Sequence, residues 1–432
     1  MEINRLLNKL ENDGFMPSFR LLYGFDEKIL LRQKERYIEA VKSFSDIFPD
    51  RTEIGIFSAP GRTEIGGNHT DHQHGCVLAA AVNLDIIGIA AFHDEGVIRV
   101  RSEGYDAFEV SLSDLGVRDG KKDSSDIVRG IAAKFTDMGA AIGGFDLYAT
   151  SDVLSGSGIS SSAAFETLIG TIIDEQYNGG RAGAVEIAKI GQYAENVYFG
   201  KNSGLMDQMV SSVGGLVAID FADTEKPVIN GFKCDFEAQG CCLCITDTKG
   251  SHADLTEDYS FVRSEMEAVA AQFGESCLRP VDEQAFYERI PEIRLACSDR
   301  AVLRAAHFFS ENRRAQDEAA ALMNGDFDRF LEIVRESGDS SANLLQNLYS
   351  VSKPANQEIP LAIMASKRIL KGRGAVRVHG GGFAGTIQAF VPLDTADEYI
   401  AEMDRIFGAG SCLKLRIRPV GGIEITGESE VS

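Results

Sequence analysis

Apolar residues along the chain recur with helical and strand periods by turns, and the period switches many times between the two ends. Residues 15–50 carry helical spacing that ends near Phe48-Pro49-Asp50. Residues 53–58 and 76–92 read as two apolar strands flanking a polar, histidine-rich turn. Gly144-Phe145-Asp146-Leu147-Tyr148-Ala149 alternates apolar and polar, which predicts a strand with one buried face. After a Gly/Ser loop, Phe165, Leu168, Ile169, Ile172 and Ile173 fall at helical spacing, and Gly179-Gly180 marks the stop. A second helix sets Ile187, Ile190, Ala194 and Val197 on one side and stops at Gly200. Strands are predicted at 215–221 and 241–247, and long helical patterns at 255–273 and 298–337. A hairpin follows: Ala375-Val376-Arg377-Val378, a loop of glycines, then Ile387 to Val391. Strands and helices therefore mix in both halves. The expected class is α+β, with two domains, 1–225 and 226–432, dividing within about 220–235.

Composition narrows the partners. At 44% hydrophobic and 25% charged residues the chain is an ordinary globular protein. Its 43 Lys+Arg against 65 Asp+Glu give a net charge of −22. Such a chain repels nucleic acid and anionic membrane unless it carries a basic patch, and no basic run of the needed length is present. An anion must then be held locally, by backbone N–H groups, a metal or a few placed cations. The start, MEINRLLNKLENDGF, is amphipathic and lacks an apolar stretch of signal-peptide length. The most apolar run, Cys76 to Phe92, is interrupted by Asn83 and Asp85 and falls short of the ~18–20 apolar residues of a membrane span. The expected location is the cytoplasm, with the eight cysteines as reduced thiols.

Three loops concentrate the candidate chemistry. The first runs from Val153 to Ala164 between a strand and a helix. Gly156 and Gly158 let backbone approach a ligand closely, and Ser160, Ser161 and Ser162 stand where a helix dipole begins, a ready anion site. The same residues also suit an ordinary serine-capped helix. The loop is not a Walker A, because neither Gly-Lys pair is followed by Ser or Thr, and it lacks the third glycine of the dinucleotide fingerprint. The second loop, Ala59 to Gly75, holds Arg62, Asn68, His69, Asp71, His72 and His74. That lining suits a polyhydroxylated ligand, a metal site is the rival, and a solvated turn is the plain alternative. The third, His379-Gly380-Gly381-Gly382-Phe383-Ala384-Gly385, is either a structural glycine hairpin or an esterase-type oxyanion loop. No G-x-S-x-G nucleophile elbow accompanies it.

Together and in this order, the three loops resemble the motifs of the GHMP small-molecule kinases, and among those the galactokinase family most closely. Ala59-Pro60-Gly61-Arg62 with His69-Thr70-Asp71 resembles that family's N-terminal signature, Gly156 to Ala164 its phosphate loop, and Gly380 to Gly385 its third motif. The likeness continues through Ala194-Glu195, Ser203 to Gln208, the Tyr259 region, Gly325-Asp326-Phe327 and Val334 to Ser337. The resemblance implies a two-domain GHMP kinase fold with its active site in the interdomain cleft. It implies ATP phosphates on Ser155, Gly156, Ser157, Gly158, Ile159, Ser160, Ser161 and Ser162, and Mg²⁺ between Ser162 and Glu195. It further implies a reacting pair at Arg62 and Asp207, with sugar contacts from Arg62, Asn68, His69, Asp71, Gly204, Asp207 and Tyr259. Phosphoryl transfer asks for such a cast: positioning groups, a cation for the β- and γ-oxygens, and a group facing the attacking hydroxyl.

The implied reaction is ATP-dependent phosphorylation of the anomeric hydroxyl of galactose. The chain departs from the family at three places: Asn68 stands for the usual Glu, His72 for Tyr and His379 for Thr. Asn both donates and accepts where ionised Glu only accepts. A substrate such as an N-acetylated or acidic galactose relative is the alternative within the family, and Asn68→Glu is expected to shift sugar preference. An ATP- and sugar-binding regulator without turnover is the alternative from another class. It is disfavoured because Ser160 to Ala164, Arg62, Glu195 and Asp207 are all present.

Overall fold

The computed structural model describes residues 1–153, 159–201, 203–250 and 255–426. Three helices lead: α1 (Ile3–Glu11), α2 (Met16–Tyr23) and α3 (Glu27–Ile47). The helical pattern of 15–50 is thus two helices. Gly24 at φ +87° ends α2, and the Asp26 carboxylate accepts the Lys28 and Ile29 N–H groups to start α3.

Next come β1 (Gly55–Gly66), β2 (Cys76–His93), β3 (Val97–Ser102), β4 (Phe108–Ser111), α4 (Ser124–Asp137) and β5 (Gly144–Ser151). Then follow α5 (Ser161–Ile173), α6 (Gly183–Tyr193), α7 (Met206–Val213), β6 (Leu216–Asp220) and β7 (Val228–Phe232). The strand predicted at 53–58 continues through the polar residues 59–66, which the sequence pattern assigns to a turn. Two register shifts, between Pro60 and Arg62 and between Glu64 and Gly66, let this stretch stay paired with β2. These strands form one sheet in the order β12-β1-β2-β5-β3-β4, where β12 (Ile423–Glu424) returns from the far end of the chain. The long β2 pairs with β5 along Ile86–His93 and with β6 along Cys76–Ala80, and β7 adds beyond β6.

The remainder comprises β8 (Cys241–Asp247), α8 (Thr256–Ala271), α9 (Glu283–Glu288), α10 (Ile290–Ala296), α11 (Asp299–Met323) and α12 (Phe327–Ser340). After these come α13 (Glu358–Leu370), β9 (Ala375–Val378), β10 (Thr386–Pro392), α14 (Ala396–Phe407) and β11 (Cys412–Leu415). The pattern over 298–337 is likewise two helices, because Gly325 at φ +72° ends the first and Asp326 caps the second. A second sheet, ordered β11-β8-β10-β9, is antiparallel throughout.

Strand alternation sorts the core into layers. Ile56, Ile87, Ile89 and Ala91 pack under α1–α3, while Phe57, Ala59, Ala80 and Ala90 join a large cluster with Leu168, Ile169, Ile172 and Ile190. In the second sheet Cys242, Cys244, Ile387 and Ala389 face α13 and α14, while Leu243, Ile245 and Phe390 face Phe327 and Phe330 of α12. Cys241 and Cys244 are three apart on a strand, so they belong to these opposite faces, and the described cysteines are free thiols. Near the C-terminus, the buried Arg418 donates to Ser58 at 2.6 Å and Asp85 at 3.1 Å, fixing the returning segment beside β1 and β2.

Candidate active site

Arg62 is aimed by the first irregularity of β1. Pro60 contributes no N–H to the ladder, and at Gly61 a Cβ would lie 2.6 Å from Ile159 Cγ2 and 2.8 Å from Ile159 O. That close approach lets the Arg62 backbone N–H donate to Ile159 O at 2.9 Å, so β1 and the residues entering α5 are joined directly. Asp207 arrives from the first turn of α7. Arg62 Nε donates to Asp207 Oδ1 at 2.6 Å and Nη2 donates to Oδ2 at 2.7 Å, a two-pronged pair. Ser160 Oγ donates to Oδ2 at 2.6 Å. The Arg62 side chain is 12% exposed and that of Asp207 is 31% exposed, so the carboxylate is the half that opens outward. Burial pushes the Asp207 carboxyl up, but the Arg62 guanidinium and the Ser160 hydroxyl outweigh it and hold the group below its ordinary range. Asp207 is therefore ionised at neutral pH.

Ser160 has φ +59°, and its hydroxyl serves Asp207 instead of capping its own helix. Among the described residues no side-chain cap on α5 is seen, and its first turn carries no acidic residue. The thirteen-residue helix begins without a cap from the Ser160 side chain, and the positive end of its dipole suits a phosphate. Ile159 is fully buried beneath Gly61, Ser160 and Ser161 are half-buried, and Ser162 is exposed. Ser155, Gly156, Ser157 and Gly158 lie outside the described residues.

Glu195 sits in a wider helical turn, Ala194–Phe199, that continues α6 and ends at Gly200 with φ +80°. The residue is buried; Oε1 accepts from Lys201 Nζ at 2.7 Å and Oε2 from Gln208 Nε2 at 2.9 Å. Gln208 Nε2 also reaches Glu166 Oε2 at 2.9 Å. Glu166 lies one helical turn beyond Ser162, so Ser162 and Glu195 flank one polar seam. Glu166 Oε1 has no partner there, and burial, then Glu195, push this carboxyl well above the usual range. A hydroxyl and a carboxylate already occupied by an ammonium make a hard-oxygen set fitting Mg²⁺, which takes few protein ligands and completes its shell with phosphate and water.

Several residues expected to contact sugar lie in the turn between β1 and β2. Asp71 comes so close to Gly204 that a Cβ there would lie 3.1 Å from Asp71 Oδ2. Asp71 makes no side-chain hydrogen bond among the described residues, leaving its carboxylate open to a ligand. Three other residues expected to touch sugar grip consecutive carbonyls of the glycine loop. Asn68 Nδ2 donates to Gly380 O at 2.7 Å, His69 Nε2 lies 2.9 Å from Gly381 O, and Tyr259 Oη donates to Gly382 O at 2.8 Å. Asn68 is fully buried; Nδ2 also donates to Glu64 Oε1 at 3.0 Å, and Oδ1 accepts from Asn347 Nδ2 at 2.9 Å. Where sequence reasoning turned Asn68 toward the sugar, the structure commits its amide to protein. The cause is the crowding of Glu64, Asn347 and the loop around it.

His379 bridges Thr63 Oγ1 and Thr386 Oγ1, each at 2.9 Å, and burial pushes it down to about 3, so it is neutral. His72 lies between His69 and Gln73, and burial pushes it down to about 4. Sequence reasoning missed Glu64, Asn347 and Arg377. Buried Arg377 pairs with Glu64 at 2.8 Å and ties the signature strand to β9. Its signal was available: an arginine alternating with valines in Ala375-Val376-Arg377-Val378, on a strand with no exposed face. Among the described residues no three His, Cys, Asp or Glu side chains converge as a self-sufficient metal cage.

Comparison with known proteins matches this layout. A model of the galactokinase galactose-binding signature matches residues 42–92, and one of the GHMP kinases N terminal domain matches residues 126–215. The galactokinase of Mannheimia succiniciproducens is 30% identical over 370 residues, spanning 83% of this chain and 90% of that protein. The crystal structure of Lactococcus lactis galactokinase complexed with galactose superposes with a TM-score of 0.74 at 22% identity, covering 88% of this chain and 98% of that one. The Methanococcus jannaschii mevalonate kinase gives a TM-score of 0.59 at 15% identity, covering 84% and 98%.

Proposed function

This chain belongs to the galactokinase family of GHMP kinases, phosphotransferases acting on a sugar hydroxyl, and from that premise we propose that it transfers the γ-phosphoryl group of ATP to the anomeric hydroxyl of galactose. The observation that carries this reading is the two-pronged Arg62–Asp207 pair, clipped by Ser160 to the start of α5. One serine thus joins the phosphate end of the site to its sugar end.

The 154–162 loop, of which 154–158 lie outside the described residues, and the N-terminus of α5 would receive the nucleotide phosphates, and Ser162 and Glu195 would hold Mg²⁺, which would supply positive charge to the phosphates. Asp71 and Gly204 line the sugar, while Asn68, His69 and Tyr259 shape its wall by fixing the glycine loop. Asp207, held ionised by Arg62, is a weak base. It aligns the attacking hydroxyl and takes its proton as the new O–P bond forms and the bond from the γ-phosphorus to the β,γ-bridging oxygen breaks, ADP leaving with that electron pair, while Arg62 faces the charge on the transferring group. A division into 1–225 and 226–432 would put Arg62, Ser160, Glu195 and Asp207 on one domain and Tyr259 with the glycine loop on the other, although β7 and β12, from the second part, pair within the first sheet. The chain is assigned to the cytoplasm; none of its described helices is long and apolar enough to cross a membrane.

Asp207→Ala tests the assignment. Turnover is expected to fall by about 10²-fold or more while ATP affinity, measured by calorimetry, stays within a few fold. Turnover near wild type would remove Asp207 from the reaction.

A further inference from the structure

The two oxygens of Glu195 are held differently. Oε2 faces inward to Gln208, whose amide also anchors Glu166. Oε1 carries the ammonium of Lys201 at 2.7 Å, and here the contrast in exposure is large: 4% for the Glu195 side chain, 59% for that of Lys201. Lys201 follows Gly200 directly, and its backbone N–H donates to Glu195 O at 3.1 Å, so the chain doubles back over the carboxylate it pairs with. The same ammonium lies close enough to Glu166 and Asp207 to draw both carboxyls toward their ionised forms. A cation on a solvated stem thus stands among three acidic groups at the metal end of the site.

We propose that Lys201 is a tethered competitor for the divalent cation: it occupies Glu195 Oε1 while the site is empty and must leave before that oxygen can bind metal. The inference rests on the assignment of the cation to Glu195. Its physical basis is the asymmetry of the pair. Gln208 grips Oε2 and keeps the carboxylate oriented when the lysine departs. The lysine side chain is 59% exposed, so its ammonium returns to water when it leaves, while an incoming cation takes over its charge on Glu195. The cost of displacing it is charged against every divalent ion that binds, so Lys201 weakens affinity for the metal without touching the reacting atoms.

The test is Mn²⁺ binding to the nucleotide-free protein, read from the paramagnetic resonance of free Mn²⁺, for wild type, Lys201→Met, Lys201→Arg and Glu195→Gln. Lys201→Met is expected to bind Mn²⁺ about three- to tenfold more tightly, with a lower melting temperature in the metal-free protein because the buried Glu195 carboxylate loses its cation, and with part of that loss restored by Mn²⁺. Lys201→Arg, which keeps the charge, is expected to stay near wild type. Equal affinity in wild type and Lys201→Met overturns the inference; if Glu195→Gln still weakens binding in that case, the assignment of the cation to Glu195 survives. If Glu195→Gln also leaves Mn²⁺ affinity unchanged, that assignment falls and takes the inference with it.

Discussion

Asn68, expected from sequence to contact sugar, spends its side chain on protein partners. Its amide protons go to Glu64 and Gly380, its oxygen to Asn347, and its backbone carbonyl accepts from His307 Nε2 at 3.0 Å. Replacing it with Asp puts a carboxylate against the Glu64 carboxylate and the Gly380 carbonyl, with no proton to offer either. Asn68→Asp is expected to lose about 2–4 kcal/mol of stability and to raise the sugar KM more than the ATP KM, because the glycine loop is released. Chemical denaturation and steady-state kinetics check both. Asn68→Glu is expected to change the ranking of sugars through the same loop, and an unchanged ranking would show that position 68 has no say in selectivity. The identity of Asn68 was legible as a departure. Its orientation was not, because Asn347 and Gly380 lie 279 and 312 residues away in sequence.

At the scale of elements, the site depends on β1 being a strand where its sequence reads as a turn. Ala59 to Gly66 mixes Pro, Gly, Arg and Glu, and local pattern alone gives such a run to a loop. Pairing with the apolar β2 overrides the local preference, and the two register shifts absorb the misfit while aiming Arg62. Gly61→Ala is expected to push Ile159 and the start of α5 away, raising the ATP KM several-fold with a smaller effect on the sugar KM; equal effects on both would place the fault elsewhere. The helices were easier to read, since α5, α6, α8 and the hairpin β9–β10 follow apolar spacing that needs no distant partner. The helix breaks at Gly24 and Gly325 were missed because the apolar period runs on across them. Strands β3, β4 and β7 were missed because they are short and partly exposed.

For the whole molecule, buried titratable groups set the pH of greatest stability. Burial holds His72 and His307 at about 4 and His379 at about 3, and pushes Glu166 and Glu318 well above the ordinary Glu range. Between about pH 4.5 and 6 the unfolded chain protonates three histidines that the fold keeps neutral, whereas the fold keeps protons on two glutamates that the unfolded chain releases. The unfolded state binds the net excess, so stability rises with pH across this window. Above about pH 6.5 the unfolded histidines lose their remaining protons, the two folded glutamates hold the net excess, and stability falls as pH climbs toward their folded values. The melting temperature should therefore peak near pH 6.5, and Glu318→Gln should flatten the alkaline side; a melting temperature still climbing from pH 6.5 to 8 would contradict this. Of these groups, His379 bonds Thr63 of β1 and Thr386 of β10, and His307 bonds the Asn68 carbonyl, so part of this buried set also braces the candidate site. The proposed reaction is tested most directly by ADP release with Mg²⁺ and ATP across a panel of sugars, with the product identified by phosphorus resonance. The account predicts that galactose gives the highest kcat/KM, that the product is the 1-phosphate, and that Asp207→Ala abolishes the signal. No sugar-dependent ADP release, or another sugar ranking above galactose, would contradict it.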